Sequence, residues 1–146
     1  MSLTISGASK IESDITEEQR KKIYKHIKEN DGIIAEDLAK LSLSPGKKAK
    51  DVNPYLYGNK VFIRKDEKGT PKWILNPIHV KLINYLKDKY TSGFITTKDL
   101  AKNVNCSIKE INPILYSLER KDLAVKEAEP DGKKPRWSFK KEVFDL

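Results

Sequence analysis

Asp-Leu-Ala-Lys occurs at Asp37–Lys40 and again at Asp99–Lys102, an offset of 62 positions. Asn-Pro-Tyr-Leu-Tyr at Asn53–Tyr57 matches Asn-Pro-Ile-Leu-Tyr at Asn112–Tyr116, an offset of 59, and Pro-Lys-Trp at Pro71–Trp73 matches Pro-Arg-Trp at Pro135–Trp137, an offset of 64. The blocks keep their order while their spacing drifts by a few residues. Drift of that kind belongs in loops, so the 146 residues hold two copies of one small domain and not a short-period solenoid. Each copy must therefore close a core of its own with about 60 residues, near the lower limit for a stable domain.

Both copies follow one grammar. In the first, Thr16 followed by Gln19 marks a capped helix start, and Ile23 and Ile27 recur at helical spacing. Asn30, Asp31 and Gly32 end that helix, and Gly32–Ile34 is a brief extended piece. A short helix passes through Asp37, Leu38 and Leu41, Ser44–Gly46 turn, and a third helix runs to Gly58. Val61–Lys65 and Thr70–Leu75 flank Asp66–Gly69 as a hairpin. In the second copy Asn76 caps, Pro77 takes the first helical position, and Leu82, Ile83 and Leu86 are apolar. Phe94–Thr96 is extended, Thr96 or Thr97 caps the next helix, and a third helix covers Lys109–Lys121. A second hairpin turns around Pro130, Asp131 and Gly132. Helix, short strand, helix, helix, hairpin is the winged helix-turn-helix order. The expected fold class is α+β, two tandem winged helix-turn-helix domains of three helices and a small antiparallel sheet each. The expected boundaries are a disordered leader at 1–12, domains at 13–75 and 76–141, and a tail at 142–146.

The charge is shared evenly. Residues 1–75 carry 15 Lys+Arg against 11 Asp+Glu and the rest carry 14 against 10, so each copy contributes +4 to the net +8. An excess divided this way fits two domains that each face a polyanion, although lysine-rich solubility would give the same number. Cys106 is the single cysteine, which leaves no internal disulfide and no cysteine-cluster zinc site. His26 and His79 stand alone and read as solvated helix residues. Acidic residues are scattered among lysines, with no phosphate loop or nucleophile motif. Nothing calls for catalysis, a cofactor or a small-molecule substrate. No apolar run approaches the ~20 residues of a membrane span, so the expected setting is intracellular, cytoplasmic or nuclear.

The third helix of each copy has two faces. With Ile111 at zero and about 100° per residue, Leu115 and Leu118 fall within roughly 40° of it, while Lys109, Asn112 and Tyr116 gather between roughly 100° and 160°. Val52 and Leu56 repeat the apolar stripe in the first copy, and Lys50, Asn53 and Tyr57 repeat the other. A cation, an amide and an aromatic ring on one face suit a nucleic acid: charge for phosphate, an amide for phosphate or water, a ring for a base. A tyrosine covering the core edge is the plainer reading of either ring alone. Its repetition, together with Pro-x-Trp in both hairpins, weakens coincidence.

Lys-x-x-Asn-x-x-x-Tyr on the third helix followed by Pro-x-Trp in the wing resembles the Zα domain family, winged helices that bind the left-handed Z form of DNA or RNA. The resemblance spans Ile15 to Leu75 and Pro77 to Phe139, and "KEINPILYSL" and "KPRW" are its most diagnostic parts. It implies that Tyr116 meets a syn purine and that Trp137 packs edge-to-face on Tyr116 and reaches a phosphate through its indole N–H. It implies that Asn112 and Lys109 hold zigzag phosphates and that Pro135 touches the backbone. In the first copy the same roles fall to Tyr57, Trp73, Asn53, Lys50 and Pro71, with Thr70 a candidate wing contact. The implied partner is double-stranded nucleic acid, Z-DNA or Z-RNA, selected by backbone path and not by base sequence. Two departures stand out. Pro54 and Pro113 replace a basic residue that family members often carry after the asparagine, and Ala49 and Ile108 replace a frequent lysine. Lys47 and Lys48 offer compensation in the first copy. The prolines predict a local bend or a late helix start. The alternatives are a tandem winged-helix regulator reading B-form DNA and a protein-interaction module of a larger assembly.

Overall fold

The computed structural model describes residues 15–127 and 134–146. The leader and the turn around Pro130, Asp131 and Gly132 lie outside those residues. The chain divides between Leu75 and Asn76 into two compact units, both α+β.

In the first unit, α1 (Glu17–Glu29) opens on a capping box: the Thr16 hydroxyl accepts from the Gln19 N–H, and the Gln19 side chain accepts from the Thr16 N–H. Ile23 and Ile27 are its buried stripe. α2 (Ala35–Ser42) and α3 (Ala49–Tyr57) follow, adding Leu38, Ala39, Val52, Tyr55 and Leu56 to the core. β1 (Phe62–Glu67) and β2 (Thr70–Leu75) pair antiparallel from Phe62↔Leu75 to Glu67↔Thr70. The strands run further than the sequence suggests. Asp66 and Glu67 are still paired, and the turn is Lys68-Gly69 alone, both at positive φ (53° and 81°). A two-residue turn of that hand matches the strand twist, so pairing continues to its edge. Ile33 exchanges backbone hydrogen bonds with Trp73 at 3.1 and 2.8 Å, which ties the approach to α2 onto β2.

The second unit repeats this order. α4 (Pro77–Lys89) is capped by the Asn76 side chain, which accepts from the Ile78 N–H. β3 (Ile95–Thr96) leads into α5 (Thr97–Asn103), where Thr96 provides the cap. α6 (Ile108–Arg120) buries Ile111, Ile114, Leu115 and Leu118. β4 (Ala124–Glu127) and β5 (Arg136–Phe139) complete a three-stranded sheet in the order β3-β5-β4, with Trp137 on the central strand. Residues 142–146 are not a loose tail. Lys141–Asp145 form a short 3-10 helix with Leu146 as its C-cap; Val143 is buried, and the Lys87 ammonium of α4 donates to the Leu146 carbonyl.

Neither recognition-type helix starts late. α3 and α6 begin well ahead of Pro54 and Pro113, because their starts are set by side-chain caps. The Asp51 carboxylate accepts from the Lys48 N–H at 2.8 Å, and Ser107 and Glu110 form a full capping box. Each proline deletes the donor for the carbonyl four residues back, that of Lys50 or Lys109. Pro54, Pro113 and those lysines are all exposed.

His79 corrects the sequence reading. It is fully buried, and burial drives its imidazole down to a pKa of about 3, with the positive charge of Lys121 adding to the effect. His79 therefore sits neutral in the core. Its place at i, with Leu82, Ile83 and Leu86 at i+3, i+4 and i+7, puts it on the buried stripe of α4. His26 on α1 is half-buried.

Candidate nucleic-acid interface

The outer face of each third helix meets the hairpin through one aromatic pair. Tyr116 of α6 stands edge-on to Trp137 of β5, with ring centroids 5.4 Å apart and planes at 82°. Tyr57 of α3 stands edge-on to Trp73 of β2 at 5.0 Å and 83°. Such T-shaped pairs are favourable beyond their buried area. The tryptophans are walls and the tyrosines are the visible surface: Trp137 and Trp73 are 0% and 4% exposed, Tyr116 and Tyr57 are 38% and 52% exposed. Helical period explains the tyrosines and strand alternation the tryptophans, and the sheet register places one against the other.

Lys109 and Lys50 project on the same helix faces and are exposed, and neither makes an ion pair among the described residues. Asn112 and Asn53 are half-buried beside them. In the wing, Pro135 is half-buried, while Pro71 and Thr70 are exposed at the start of β2. In both units the structure brings the helix tyrosine and the wing tryptophan together across some 16 to 21 positions of sequence.

The Trp137 indole N–H does not face outward; it donates to the Thr97 hydroxyl at 2.9 Å inside the unit. Trp137 is a buried backing for Tyr116. In the first unit the position 62 residues earlier is Ala35, which has no hydroxyl, and Trp73 makes no side-chain hydrogen bond among the described residues.

Two further cations reach the ledges. Arg64 is the cross-strand partner of Trp73 and Lys126 that of Trp137, so each lies on the tryptophan's face of the sheet. The Arg64 Nη1 donates to the Tyr57 hydroxyl at 2.8 Å. The Lys126 Nζ donates to the Tyr116 hydroxyl at 2.5 Å and lies 4.9 Å from the ring centroid. Arg64 also holds Asp66 through Nε at 2.8 Å and Nη2 at 3.2 Å, which raises the guanidinium pKa and lowers that of the carboxyl. Neither cation lies on a helix face; the signal for both is their place opposite the Pro-x-Trp tryptophans once the strands are paired.

The second unit therefore has the winged-helix fold with an exposed tyrosine braced by a wing tryptophan. Residues 74–142 match the family model of the adenosine deaminase z-alpha domain, and this half of the chain belongs to the Zα family. No match to the chain is found among curated proteins. Among the described residues no helix is long and apolar enough to cross a membrane.

Proposed function

We propose that the chain is a non-enzymatic tandem module in which both units bind Z-form double-stranded DNA or RNA, in the cytoplasm or nucleus. Zα domains bind Z-form nucleic acid as a class, and the match over residues 74–142 supports that for the second unit. For the first unit the support is geometric. Its Tyr57–Trp73 pair reproduces the Tyr116–Trp137 pair to within 0.4 Å in separation and 1° in tilt, from 5.0 Å and 83° against 5.4 Å and 82°. That repeated, outward-facing pair carries the reading.

Each tyrosine presents a ring to a purine, and Lys109 with Asn112, or Lys50 with Asn53, holds the zigzag backbone. Pro135, or Pro71 with Thr70, closes from the wing. The contacts read backbone path and purine orientation, so selection is by conformation. Binding pulls a competent duplex into the left-handed state by mass action, and two sites add avidity where one duplex can engage both. Circular dichroism of a CG-repeat duplex titrated with the chain tests this. Inversion of the spectrum is expected. Binding without inversion would favour a B-form regulator, and absence of binding a protein-interaction module.

A further inference from the structure

We infer that Arg64 and Lys126 are phosphodiester-binding cations of the two ledges, and that Asp66 weakens the first ledge by occupying the arginine's fork. The inference rests on the reading that the ledges bind duplex nucleic acid.

The two cations share a place and not a residue type. Both stand opposite the wing tryptophan, and both donate to the hydroxyl of the helix tyrosine. An ammonium has three N–H donors, and Lys126 gives one to Tyr116, leaving two for an anion. The Tyr116 hydroxyl is a neutral partner, so that bond leaves the Lys126 ammonium its charge. It sits beside the ring that meets the base, within reach of the phosphates flanking that base.

The first ledge is built differently. The Nε and Nη2 of Arg64 form a two-point clasp on Asp66, the geometry by which arginine grips a phosphate. The clasp leaves no net charge at that point. Its side chains are 44% and 60% exposed, and ion pairs in such settings are weak, so an arriving phosphate can displace Asp66. A phosphate that does so exchanges one ion pair for another and releases little counterion, whereas a phosphate on Lys126 releases its share. The ledges should thus differ in salt dependence more than in shape.

The test uses the full chain and a CG-repeat duplex, with affinity measured by fluorescence anisotropy across a salt series. In a Tyr57→Ala background, where the second ledge dominates, Lys126→Met lowers affinity and makes the plot of log K against log salt shallower by about 0.9, while Lys126→Arg restores both. In a Tyr116→Ala background, Asp66→Asn raises affinity at low salt by about two- to fivefold, the range of an exposed ion pair. It also steepens the same plot by up to about 0.9. A cation that only steadies its tyrosine would change affinity without changing slope, so unchanged slopes in both backgrounds overturn the inference. If the unsubstituted chain inverts the duplex while the slopes stay fixed, only this inference fails; if the unsubstituted chain does not invert it, both readings fall.

Discussion

Thr97→Val removes one oxygen from the base of the second ledge and little else. Val has nearly the shape of Thr, and the backbone anchor remains, because the Thr97 N–H donates to the Pro135 carbonyl at 3.2 Å. What disappears is the acceptor of the Trp137 indole N–H, 2.9 Å away, in a site where Thr97 is 4% and Trp137 0% exposed. A neutral hydrogen bond contributes about 0.5–1.5 kcal/mol net, but a buried donor left with no acceptor costs about 1–3 kcal/mol. In a domain of this size each kcal/mol moves Tm by about 4–8 °C, so the second unit should melt at least about 4 °C lower. The first unit carries Ala35 at the matching place and its transition should not move. Differential scanning calorimetry of the full chain resolves the effect, and Thr97→Ser, which keeps the hydroxyl, should restore most of it. A shift under about 1 °C for the valine variant, or an equal loss in the serine variant, would refute the role given to this bond. Affinity of the second ledge should fall with Tm, since Trp137 is what holds Tyr116 edge-on.

Tyr116→Ala and Tyr57→Ala each lose an edge-on pair with a wing tryptophan, so stability should fall by at least about 0.5–1.5 kcal/mol, while duplex affinity falls by the roughly 1–3 kcal/mol of a base–aromatic contact, checked by anisotropy and melting on the same samples. His79 makes the second unit acid-sensitive. It is neutral when folded, with a pKa near 3, and regains its ordinary value of about 6.5 when unfolded, so the unfolded chain binds the extra proton. That contribution is whole above about pH 6.5 and declines as pH falls toward 3, by up to about 1.4 kcal/mol per pH unit, and urea unfolding at stepped pH should show the slope flattened in His79→Leu. Leu115→Ala at a fully buried position on α6 should cost about 2–5 kcal/mol and lower the second transition in calorimetry.

Much of this was legible in the sequence, for reasons that particular residues make plain. Thr16 with Gln19, and Asn76 with Pro77, announce helix starts because capping is local chemistry. Tyr57 and Tyr116 could be placed on an outer face because helical period fixes direction. What escaped depended on partners remote in the chain. The Trp137 N–H was expected to point at a phosphate, and only folding reveals Thr97 waiting 40 residues earlier. Arg64 and Lys126 became visible only through the strand register. His79 is a different case: its polarity suggests solvent, but its spacing to Leu82, Ile83 and Leu86 marks it as buried. Propensity at Pro54 and Pro113 suggests a late start, whereas the caps at Asp51 and at Ser107 with Glu110 decide where those helices begin.

The most direct measurement compares the affinity of the full chain for a CG-repeat duplex locked left-handed by guanine bromination with its affinity for a mixed-sequence B-form duplex of equal length. A clear preference for the left-handed duplex is expected, collapsing toward parity when Tyr57 and Tyr116 are both replaced by alanine. Equal affinity for the two duplexes, or a preference that outlasts the loss of both rings, would contradict conformation-selective binding by the tyrosine–tryptophan ledges.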